Sequence, residues 1–300
     1  MLRSRLVLTL LAGLTLVAFA AVPAGSATPS GASGLAATVS GGTITVTGTA
    51  SFGGEDPVEV GVDGANDNTG GANTAPLGVD LTRMLISQPD PNSPALQFTF
   101  DVAALTGGGT PEHVAYNWDI KVDGGDPEGG VNKSLKSWRT RVASTTNTSP
   151  YAAVFDCVPQ APPQTGSTCS AGPTVPVVYD EASSQVRLSV PLALIEADPG
   201  STIEAWLRIS SPVWIGATAG TQTLAGQYDT STHDPYTVPT KTVRLGIAPT
   251  GSPISYTATA SLSGSSFSGS LVKPGPGTYD VGAQVCFGAN CGTATTTVTI

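Results

Sequence analysis

Leu96, Phe98, Phe100 and Val102 alternate with Gln97, Thr99 and Asp101; after a Gly/Pro turn, Val114, Tyr116, Trp118, Ile120 and Val122 alternate with Ala115, Asn117, Asp119 and Lys121. Side chains in a strand change faces at every residue, so both runs predict strands with one apolar and one polar face. Such a face is stable only against a second sheet, which predicts a β-sandwich.

The same period recurs along the chain. Thr43–Thr49, Val58–Val62, Val79–Ser87, Trp138–Val142, Val186–Leu192, Ile203–Ile209 and Val243–Ile247 all read as strands. Between them lie turn-rich stretches at 52–56, 63–76, 123–130, 159–173 and 210–236. The run from Ala193 to Gly200 predicts a single helical turn, stopped by Pro199-Gly200. Residues 248–253 read as a linker, and after them come only short strands: Tyr256–Leu262, Phe267–Leu271, Tyr279–Cys286 and Thr293–Ile300. No long helical period occurs, so the expected class is all-β.

Composition agrees with this reading. Gly 36 and Pro 24 in 300 residues would suit a disordered chain if the periodic apolar runs were missing; with them, they indicate many short strands joined by turns. At the N-terminus, Arg3 and Arg5, the apolar run Leu6–Val22 and the small residues Ala24-Gly25-Ser26-Ala27 predict a secretory signal over 1–27. A flexible segment is expected over 28–42, and the mature protein is expected outside the cell with no membrane span. Without Arg3 and Arg5 the chain keeps 11 basic residues against 22 acidic ones, a net charge of −11. That balance supplies no basic surface for phosphates and argues against nucleic acid or anionic membrane as partner. The Ala/Gly/Thr-rich bias reads as bacterial.

Four cysteines form two close pairs, Cys157/Cys169 and Cys286/Cys291. In an oxidising compartment the local pairing 157–169 and 286–291 is the simplest of three connectivities. A zinc site would want partner histidines at ligand spacing, which both pairs lack.

Candidate chemistry is sparse. His113 and His233 sit in no nucleophile-elbow, His-Glu-x-x-His or Cys/His pattern, and Glu196/Asp198 lie where a Pro-Gly turn attracts acidic residues anyway. No enzyme is expected and no catalytic residue is assigned. Asp63, Asn66 and Asp67, with Asn68, form an oxygen-rich loop that would suit calcium, and Asp123 and Asp126 form a second; ordinary turn chemistry explains both loops as well. Trp118 shares parity with the apolar residues of its strand and is expected in the core. Trp206 falls with Glu204 and Arg208 on the parity opposite to Ile203, Leu207 and Ile209, and Trp214 follows in a loop. An exposed indole there would offer a platform for a sugar ring; alternatively the 210–236 loop or a second domain covers it.

Asp80-Leu81, Leu96-Gln-Phe98, Tyr116-Asn-Trp118, Val122-Asp-Gly124, Val190-Pro-Leu192 and Asp198-Pro-Gly200 occur in an order that resembles the DOMON-like sandwiches and their relatives, the family-nine carbohydrate-binding modules. The resemblance covers roughly 58–247 and implies a non-catalytic module for sugars or, in some members, haem; it transfers no ligand residue. Phe267–Leu271, Pro276–Val281 and Gly292–Ile300 resemble the later strands of bacterial Ig-like domains, and Thr43–Ala50 the first strand. The expected architecture is therefore a large antiparallel sandwich, 58–247, plus a smaller Ig-like sandwich, 253–300, completed by 35–62 if the larger one is inserted into it. The expected function is binding of extracellular or cell-wall carbohydrate. The competing expectation is a structural or adhesive surface protein that contacts other proteins.

Overall fold

A computed structural model describes residues 28–62, 81–102, 115–124, 133–138, 151–159, 167–213, 223–230 and 234–300. The strands in chain order begin with β1 (Gly31–Ser40), β2 (Thr43–Ser51), β3 (Val58–Val62), β4 (Leu81–Ser87), β5 (Ala95–Val102), β6 (Ala115–Val122) and β7 (Lys133–Trp138). They continue with β8 (Tyr151–Pro159), β9 (Ser167–Thr174), β10 (Val177–Asp180), β11 (Gln185–Pro191), β12 (Thr202–Val213), β13 (Thr223–Thr230) and β14 (Tyr236–Thr237). The last are β15 (Lys241–Pro249), β16 (Tyr256–Thr259), β17 (Ser261–Ser263), β18 (Ser266–Val272), β19 (Thr278–Phe287) and β20 (Asn290–Thr299). A 3₁₀ turn at Leu192–Leu194 sits where the sequence predicts a helical turn.

The described residues are all-β and form four antiparallel sheets, consistent with the β-sandwich class. One sheet runs β10-β11-β5-β4-β3, and a second runs β13-β12-β6-β7-β8-β9 with β14 also on β12. Between them lies the larger buried cluster. Phe98 and Phe100 of β5 meet Trp118 of β6 there, with ring centroids 5.3 Å and 6.1 Å apart. All three rings are fully buried, and each such side chain contributes roughly 1.5–3 kcal/mol to the sandwich. The Leu96–Val102 and Trp118–Val122 alternations thus do what their pattern predicts.

The other two sheets, β1-β2-β18-β17 and β16-β15-β19-β20, enclose a second cluster built on Ile44, Val46, Phe267, Leu245, Val281 and Val285. Its strands come from both ends of the described chain: β18 pairs with β2 from Ser266↔Thr49 to Val272↔Thr43. Cys157 and Cys169 face each other across β8 and β9, and Cys286 and Cys291 across β19 and β20; both pairs are disulfides. The described residues contain no helix long and apolar enough to cross a membrane.

Several segments depart from the sequence expectation. Residues 31–40, within the segment expected to be flexible, form β1, whose Ala/Gly/Ser composition carries little alternation and which is fixed by pairing with β2. Residues 167–173 of the expected Pro-rich loop belong to β9, and 223–230 of the expected long loop form β13. β7 lies ahead of the strand expected over Trp138–Val142, of which residues 139–142 lie outside the described residues; its buried polar residues Lys133, Ser134 and Ser137 break the apolar period. Tyr256–Leu262 is two strands in different sheets, separated at Ala260, whose amide donates to Val243 O at 2.9 Å.

Candidate functional site

The polar side chains with the most distinctive surroundings gather where the two clusters meet. The chain passes between them through 52–57, after β2, and through 238–240, before β15. Glu55 lies in the first passage and Tyr236 just before the second. The Tyr236 hydroxyl donates to Glu55 Oε2. Glu55 N donates to Gln88 O at 3.0 Å and Gln88 N to Glu55 Oε2 at 3.4 Å, so the segment after β4 joins the same knot. Burial raises the Glu55 pKa above the usual carboxylate range, against the bonds from Tyr236 and Gln88 that favour the anion. Burial, then the neighbouring Glu55 charge, pushes the Tyr236 phenol up as well.

Beside this knot opens a cleft of about 590 Å³, within the size range of small-molecule sites, about 300–1,000 Å³. Pro91, Pro94, Leu192, Pro199 and Pro239 supply apolar walls, and Gln88, Asn92, Asp198 and Lys241 supply polar groups. Lys241 Nζ donates to Asn92 Oδ1 at 3.0 Å and stands 5.2 Å from the centre of the Phe52 ring. Gln88 is only 5% exposed; its Nε2 donates to Ser93 O at 2.8 Å, while its Oε1 has no partner. A smaller cleft of about 470 Å³ lies against Glu55 and Tyr236, and Pro239 lines both.

Asn290, at the tip of the β19–β20 hairpin, completes the junction. Its Nδ2 donates to Thr28 O at 2.9 Å and to Gly54 O at 2.6 Å, and its Oδ1 accepts from Ser30 N at 3.0 Å. The strap 28–30 lies so close to Gly53 and Gly292 that a Cβ there would meet Thr28 O at 1.5 Å and Ser30 O at 1.7 Å. Only glycine permits that approach.

Comparisons with protein-family models, with curated proteins and with solved structures find no match. The site therefore rests on its own geometry.

The structure separates several of the residues singled out in the sequence. Trp206 lies on β12 with its backbone opposite Asp119, Arg208 opposite Asn117, and half-buried Glu204 opposite Lys121. Trp214, His113, His233, Asp63, Asn66, Asp67, Asn68 and Asp126 lie outside the described residues. Asp123 accepts from Ser201 Oγ and Thr202 N, both at 2.8 Å, and so pins the start of β12. Among the described residues no group of three or more His, Cys, Asp and Glu side chains is placed to hold a metal ion.

Glu196 and Asp198 part company. Glu196 turns to the buried Lys133, which donates at 2.7 Å to it and at 2.7 Å to Asp156, whereas Asp198 borders the cleft. Burial acts to lower the Lys133 pKa, but the two carboxylates outweigh it and the net shift is upward. Sequence reasoning missed Glu55, Gln88, Asn92, Tyr236 and Lys241. Lys241 and Asn92 are 149 residues apart and Tyr236 and Glu55 are 181 apart, so no local spacing announces either pair.

Proposed function

We propose that the protein is a secreted, non-catalytic binding module for extracellular or cell-wall carbohydrate. In this reading 1–27 is a signal peptide, and a DOMON-like sandwich is inserted into an Ig-like one made from both ends of the chain. The observation that carries the function is the junction cleft. Its proline and leucine walls suit the apolar face of a sugar ring, and Gln88, Asn92, Asp198 and Lys241 supply acceptors and donors for hydroxyls. Two disulfides and no free cysteine among the described residues suit an oxidising compartment.

The test is a glycan-array and insoluble-polysaccharide pull-down with the purified chain, run beside Asp198→Asn and Trp206→Ala. Retention that disappears in a folded Asp198→Asn protein supports the cleft. Retention lost only in Trp206→Ala moves the sugar to β12. No retention by any glycan, with or without calcium, overturns the carbohydrate reading.

A different observation favours a structural or adhesive role. On the outer face of the β1-β2-β18-β17 sheet, Thr45, Thr47 and Thr49 oppose Ser270, Ser268 and Ser266, and Ser261 and Ser263 continue the rows. This hydroxyl surface carries no charge although the chain has 22 acidic residues. In this reading it is a contact face for another protein, no glycan is retained, and Thr47→Lys is expected to abolish adhesion to a cell-surface protein.

A further inference from the structure

We propose that the junction cleft selects a carboxylate-bearing sugar, a uronic-acid-type unit of an acidic polysaccharide, with Lys241 pairing the carboxylate. This rests on the carbohydrate reading above and specifies its ligand.

The cleft holds a cation with no carboxylate of the described residues bonded to it. The chain carries 13 basic and 22 acidic residues, yet Lys241 has no carboxylate partner among the described residues. Its neighbours are an amide, Asn92, and an aromatic ring, Phe52. Both hold the ammonium in place without cancelling it. Because Asn92 Oδ1 accepts from Lys241, the amide NH₂ on the same carbon stands next to the ammonium. An ammonium beside an amide matches a carboxylate, and charge-assisted bonds of this kind are the strong ones.

The remaining groups exclude a purely anionic ligand. Asp198 borders the same cleft and disfavours a phosphate or a second carboxylate on the ring bound there, but it accepts readily from sugar hydroxyls. Gln88 lines the same cleft with its Nε2 held by Ser93 O, which fixes that wall in place. The walls Pro91, Pro94 and Pro199 are apolar and rigid, so they pack a ring face with little entropy loss. One cation, one anion, an amide and apolar walls describe a sugar unit with one carboxylate, several hydroxyls and an apolar ring face.

The experiment measures calorimetric affinity of the full secreted chain for an oligogalacturonate and for its carboxyl-reduced, neutral counterpart, with Lys241→Gln and Asn92→Ala alongside. The acid form is expected to bind more tightly by about tenfold or more, the worth of one charge-assisted hydrogen bond. Lys241→Gln, at an exposed position, is expected to remove that preference while keeping the fold. Equal affinity for both forms overturns the acid selection and leaves carbohydrate binding standing. Binding to other glycans but to neither oligosaccharide overturns the assignment of the cleft. Binding of a blocked peptide through its C-terminal carboxylate, with no saccharide bound, overturns this proposal and the carbohydrate reading together.

Discussion

The hydroxyl of Tyr236 donates to the carboxylate of Glu55 across 181 residues of sequence, tying the segment that leaves β2 to the one that leads into β15. Tyr236 is 2% exposed and Glu55 half-buried, so the bond is partly withdrawn from water. The two passages between the buried clusters are thereby fastened to each other rather than left as independent linkers.

That fastening makes stability depend on pH. The folded-state pKa of Glu55 is raised, so folding favours its protonated form. Its contribution is fully present below the unfolded carboxylate range and is lost as pH rises through the raised folded value. Glu55→Gln keeps the acceptor for Tyr236 and removes the titration. Thermal melts should show the variant matching wild type at about pH 4 and gaining on it towards pH 7. Parallel curves across that window would refute the role given to Glu55. Tyr236→Phe leaves the carboxylate only the longer bond from Gln88 N and should cost about 1–3 kcal/mol near neutral pH.

Lys133 tests how much a buried ammonium depends on exposed partners. Its side chain is 6% exposed, while Asp156 and Glu196 are 59% and 73% exposed. Lys133→Met leaves two carboxylates already in water and should change stability by less than about 1 kcal/mol. The double change Asp156→Asn, Glu196→Gln strands the ammonium and should cost about 3 kcal/mol in urea melts. Equal losses from the two variants would show that packing alone decides the site.

The strap 28–30 gives a local readout. Asn290→Ala removes its three hydrogen bonds, with an expected loss of about 2 kcal/mol. Gly53→Ala places a Cβ 1.5 Å from Thr28 O and must displace the strap. Hydrogen exchange at the Ser30 amide should quicken in both variants while the amides of β5 and β11 stay protected. Unchanged exchange at Ser30 would contradict the clamp.

The sequence by itself determined the all-β class and the inward Leu96–Val102 and Trp118–Val122 faces, and it favoured the local disulfide pairing. Each of these depends on neighbours within a strand or hairpin, where the period of two and short spacing carry the information. Only the tertiary structure decided the rest. β1, β9 and β13 have weak alternation of their own and exist because a partner strand supplies their hydrogen bonds. The junction cleft needs Gln88, Asn92, Asp198 and Lys241 to converge from distant parts of the chain. Each of them alone is an ordinary polar residue in a turn or at a strand end. Their meaning comes from packing two sheet pairs against each other, and that is a non-local event which sequence spacing does not encode.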